Sequence, residues 1–85
     1  MRTTEAVDII ARVLSPHIGE TAARAATVAH CRKLGVDERF VKTAQLEQLL
    51  DRLRNGLNVF VGKECSLVAI TEARRALEIN EEAVR

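Results

Sequence analysis

Eighty-five residues, 47% hydrophobic and 29% charged, describe one small folded domain and exclude a disordered chain. Thirteen basic against twelve acidic residues leave a formal charge of +1, which gives no global pull toward nucleic acid or an anionic membrane. Two widely separated cysteines, no signal-peptide layout and no run near the roughly 18 apolar residues of a membrane span give the expectation of a soluble, cytoplasmic protein with reduced thiols.

Phe40 and Phe60 are the only aromatic residues, so the core has to be aliphatic. A small aliphatic core leaves a thin stability margin, which makes self-association a natural expectation.

The first helix is expected to start near Thr3 or Thr4, either of which suits an N-cap. Ala6, Ile10, Val13 and Leu14, with Ile9 at the edge, recur at the helical period, while Glu5, Asp8 and Arg12 take the other side. Ser15-Pro16 reads as the end of this helix and the opening of the next, with Gly19 allowing a bend. The second helix then runs to about Leu34. At 100° per residue, Ile18, Ala22, Ala25, Ala26 and Ala29 share one arc, and Glu20, Arg24 and Thr27 face away. Such an alanine ridge permits close approach between helices. Gly35, after Arg32 and Lys33, is the expected stop.

Asp37 is placed to cap a short third element holding Phe40 and Val41, followed by a break near Lys42-Thr43. Leu46, Leu49, Leu50 and Leu53 form the strongest stripe in the chain. Asn55-Gly56 looks like a stop, yet Leu57, Phe60 and Val61 continue the stripe in phase, so a helical or turn-like continuation is favoured over a short strand. Gly62 and Ser66 bracket the start of a last helix with Leu67, Ile70 and Leu77 on one face and Ala73 beside them. Val68 and Ile79 lie off that face, and residues 80–85 are expected to fray. No internal repeat is apparent. The expectation is an all-α protein, one domain over residues 1–85, built as a bundle of four to five short helices.

The chemistry is sparse. The four glycines stand singly, so no phosphate-binding loop is present. His17, His30, Cys31 and Cys65 show no metal-ligand spacing, and adjacent His30 and Cys31 point about 100° apart on a helix. Neither a metal site, a cofactor nor a Cys-His nucleophile is expected, and the reading is non-enzymatic.

Two motifs compete for the segment VAHCRKLGV. Its AHCRKLG portion resembles the phosphoacceptor helix of histidine phosphotransfer domains, an all-helical family in which a lysine follows the histidine by three residues and a glycine by four. His30 and Lys33 match, whereas Leu34 stands at the glycine position and Gly35 comes one residue late. The resemblance implies a phosphoryl relay at His30. The same segment is similar to a helix-turn-helix motif centred on Gly35, with Leu34, Val36, Val41 and Cys31 at its apolar and small positions. That likeness implies DNA binding through Arg24, Arg32, Lys33, Arg39 and Lys42, although Asp37-Glu38 would open the recognition helix with two carboxylates.

The reading favoured over both is a protein-protein interaction or adaptor domain that pairs with a second copy of itself. Ala22, Ala26 and Ala29 on the ridge, with off-face Val68 and Ile79, are the expected contact residues, and no membrane contact is expected.

Overall fold

A computed structural model describes residues 2–77 of the chain. Ile79 and the tail at 80–85 lie outside the described residues. Three helices follow one another: α1 (Thr3–Ile18), α2 (Glu20–Leu34) and α3 (Thr43–Leu77). The all-α expectation holds, but there are three helices among the described residues and not four to five. Two local events account for the difference.

The first concerns residues 37–42, where a short helix was expected and none forms. The Asp37 carboxylate accepts the Arg39 N–H at 2.7 Å, closing a local turn in place of capping a helix. Thr3 then pins the segment to the start of α1: its hydroxyl donates to the Asp37 carbonyl and its N–H to the Arg39 carbonyl. Arg2 pairs with Phe40 in an isolated antiparallel bridge, and Val41 drops into the core. Thr3 is thereby occupied outside the role of N-cap, which falls to Arg2 without a side-chain bond.

The second concerns α3, which runs through Asn55-Gly56 without a stop. Residues 57–61 are helical, as their phase implied. The helix bends at Gly62, where φ is 86° and ψ is 166°. Its start is set by Gln45, whose side chain reaches back to accept the Lys42 N–H at 3.1 Å, one half of a capping box. The end of α2 also follows its residues. The Gly35 N–H bonds the Arg32 carbonyl and the Val36 N–H bonds the Cys31 carbonyl, both at 3.1 Å, which is the Schellman arrangement.

Proline does not end α1. Pro16 lies inside its last turn, and the chain turns at Gly19, the single residue between α1 and α2. There φ is 91° and ψ is 150°, and the Gly19 N–H closes on the Ser15 carbonyl at 2.8 Å. The conformation closely matches that of Gly62. Both lie in a region reached almost only by glycine.

The match extends beyond the glycines. Setting Gly62 on Gly19 pairs Leu49 with Ala6, Leu50 with Val7, Leu53 with Ile10 and Leu57 with Leu14, every one of them buried. Past the bend it pairs Ser66 with Ala23 and Ile70 with Thr27, again all buried. The chain is therefore two similar helix–glycine–helix units. Sequence inspection missed this repeat because few of the paired residues are identical; what recurs is burial.

The core is the aliphatic one expected: Ile10, Leu14, Leu49 and Leu50 are fully enclosed. On α2 the buried face is rotated from the expectation. Ala23, Thr27 and Cys31 point inward, whereas Ala22, Ala25 and Ala29 are exposed. Five of the eight apolar residues on this helix are alanine, so the wheel offers little contrast to fix its phase. Thr27 tolerates burial because its hydroxyl donates to the Ala23 carbonyl at 2.7 Å. On the last arm of α3, Leu67 is exposed and Ser66, Ala69, Ile70, Ala73 and Leu77 form the buried face. The Ser66 hydroxyl lies between the Asn58 side-chain carbonyl and the Lys63 carbonyl, and it donates across the bend. Arg74 pairs with Glu47, tying the two arms of α3 together.

Candidate interaction surface

The residues just before each glycine bend meet on the surface. His17 and Ile18 come from the end of α1, and Phe60 and Val61 occupy the equivalent places on α3. Together with Ala22 and Ala26 of α2 they line a groove of about 250 Å³. Phe60 is 80% exposed and Val59 beside it 86%. One turn beyond the Gly62 bend, Leu67 is 57% and Val68 54% exposed. The bend thus carries four large apolar side chains in water, whereas every other leucine and isoleucine among the described residues is buried or half-buried. Ala22 and Ala26 have no side chain long enough to cover the ring, and this leaves Phe60 open.

One edge of the groove is polar. His17 Nε2 stands 3.6 Å from Glu72 Oε1, linking the end of α1 to the last arm of α3.

Of the expected contact residues, Ala22 and Ala26 lie in the groove, while Ala29 is exposed further along α2 and Val68 is exposed past the bend. Val59 and Phe60 were not expected. Phe60 keeps phase with the leucine stripe, so periodicity assigned it to the core. The place of Phe60 and Val59, two and three residues before a glycine bend at the end of a small bundle, was the missed signal.

A second, wider cleft of about 610 Å³ lies between α1 and α2, lined by Asp8, Arg12, Ser15, Pro16, Glu20 and Arg24. Two carboxylates there face two guanidinium groups, and Asp8 already pairs with Arg24 at 2.9 Å. Its charges balance internally, so it offers no dominant charge to a ligand.

The chemistry around His30 is turned inward. His30 is half-buried, its Nδ1 is enclosed without a hydrogen-bond partner, and its Nε2 lies 3.8 Å from where a Cβ on Gly56 would stand. Burial first, and then the charges of Lys33 and Arg52, hold its pKa below the usual histidine value. A phosphoryl acceptor has to present its imidazole to a partner protein, and this ring sits against α3. Cys31 is buried, and burial pushes its thiol pKa up, away from the thiolate a nucleophile needs. Cys65 is exposed on α3. No three His, Cys, Asp or Glu residues among those described come together as metal ligands.

The helix-turn-helix arrangement lacks its second helix, because residues 37–42 form the pinned loop. Arg24, Arg32, Lys33, Arg39 and Lys42 are all exposed, but they are spread over α2 and that loop, and Arg24 is engaged by Asp8. No described helix is long and apolar enough to cross a membrane.

Comparison with protein families, with characterised proteins and with solved structures finds no match to this chain. The functional reading therefore stands on its own surface.

Proposed function

We propose that this domain is a non-enzymatic protein-protein interaction module that pairs with a second copy of itself through the apolar surface around the Gly62 bend. The observation that carries the reading is Phe60, an 80% exposed aromatic at the lip of an apolar groove. Aromatic side chains that stand free beside an apolar pocket are the anchors from which interface cores are built. A twofold pairing sets the same patch against itself, so Phe60 of each copy meets the Ala22–Ala26 wall of the other. The small alanines supply the hole that a bulky ring fills. Val59, Leu67 and Val68 extend the contact along α3, and the polar Ser, Thr and charged residues outside it form a soluble rim.

Light scattering on the purified chain, from low to high micromolar concentration, tests the pairing. The expected outcome is a mass that rises with concentration toward twice the monomer. A constant monomer mass throughout would remove the proposal.

A further inference from the structure

His30 joins α2 to α3 at a place where nothing answers its polarity. Its ring stands against α3 at Gly56, with Nε2 3.8 Å from where a Cβ on that residue would lie. Nδ1 is enclosed and has no partner. The charges bearing on the ring are Lys33 from its own helix and Arg52 from α3, both positive. Along the seam, Ala26 is one turn before His30 on α2, and Phe60 is one turn after Gly56 on α3. The histidine therefore sits in the same α2–α3 seam whose next turn forms the groove.

We propose that this seam is an acid-labile joint: protonation of His30 adds a positive charge to those of Lys33 and Arg52 and loosens α2 from α3. In the neutral state the ring carries no charge and leaves a single enclosed nitrogen, Nδ1, without a partner. Once protonated, both its nitrogens need acceptors, and the enclosed Nδ1 finds none without separation of the helices. Opening lets water reach Nδ1 and moves the ring away from the positive charge on α3.

The lowered pKa of the folded state gives the sign of the effect. The unfolded chain binds the proton more readily, so the joint is at full strength above about pH 6.5 and weakens as pH falls below it. His17, which stands beside Glu72 at the end of α1 and away from this seam's Lys33 and Arg52, serves as the internal control. The proposal concerns contacts within a single chain and is independent of self-association, so its test runs at dilute concentration.

Thermal unfolding is followed between pH 7.5 and 5.5, above the range where most carboxylates titrate. The expected result is a melting temperature that falls toward pH 5.5 in the wild type and in His17→Gln. The fall should be abolished in His30→Gln and reduced in Arg52→Gln. In the wild type, NMR titration of the imidazole should give His30 a midpoint below 6.5. It should also shift the amides of residues 26–34 and 52–60 together. A His30→Gln profile as steep as the wild type would overturn the joint. So would a wild-type His30 midpoint at or above 6.5, a readout that does not depend on the variants folding.

Discussion

Gly19 and Gly62 hold nearly the same backbone conformation, φ 91° and ψ 150° in one and φ 86° and ψ 166° in the other, and each joins two helices with no intervening loop. Each bend turns a long amphipathic sequence into two packed arms, and the groove lies between them. The geometry of the candidate surface thus depends on two residues that contribute no side chain to it.

The cost of altering them is a backbone cost. A Cβ at either position would meet no atom within 4 Å, so steric crowding is not the issue. Gly19→Ala and Gly62→Ala should each destabilise the protein by about 1–3 kcal/mol, the strain of an L-residue in this region. Urea unfolding measures it. D-alanine, introduced by chemical synthesis, should restore most of the loss, because the same φ is open to the mirror-image residue. An unchanged midpoint for the L-alanine variants would show that the bends relax without glycine.

Gly56 is the contrasting case. It lies inside α3 with ordinary helical geometry, and a Cβ would touch only His30 Nε2, at 3.8 Å. That is a normal van der Waals distance. Gly56→Ala should raise stability by about 0.5–1 kcal/mol through the lower conformational entropy of the unfolded chain and better helix propensity. A fall in the urea midpoint would mean that the α2–α3 seam is tighter than 3.8 Å implies.

The two units carry their core burden at matching positions. Leu14 and Leu57 each lie one turn before the residue that precedes a bend, and both are buried. Leu14→Ala and Leu57→Ala should each cost about 2–5 kcal/mol, the range for a leucine removed from a close-packed interior. A domain of this size has a total stability of only about 5–15 kcal/mol, so either variant should unfold at markedly lower urea. A loss below about 1 kcal/mol for one of them would place that leucine outside the cooperative core.

Much of this architecture was legible from the residues. The leucines from Leu46 to Leu57 repeat at the helical period and are all buried, and Gly35 after Arg32-Lys33 stops α2 as its sequence indicates. The phase of α2 was not legible. Its side chains are too uniform for the wheel to separate an inner from an outer face, and a threonine took a core position by bonding to its own helix. The loop at 37–42 was misread because Asp37 serves a turn as readily as a helix cap; contact with Thr3, distant in sequence, decided between them. Of the residues lining the groove, Ala22 and Ala26 were among those singled out from the sequence. Phe60 was missed, since periodicity cannot reveal that the facing helix offers only short side chains to cover it.

The most direct measurement is sedimentation equilibrium on wild type and Phe60→Asp, run alongside Glu64→Gln as an exposed control outside the groove. Phe60 is largely solvated in the single chain, so Phe60→Asp should leave the melting temperature at dilute concentration within a few degrees of the wild type. The expected result is a monomer–dimer equilibrium for wild type and Glu64→Gln, and a monomer for Phe60→Asp at every concentration. A Phe60→Asp variant that dimerises as tightly as the wild type would contradict a contact built on this ring.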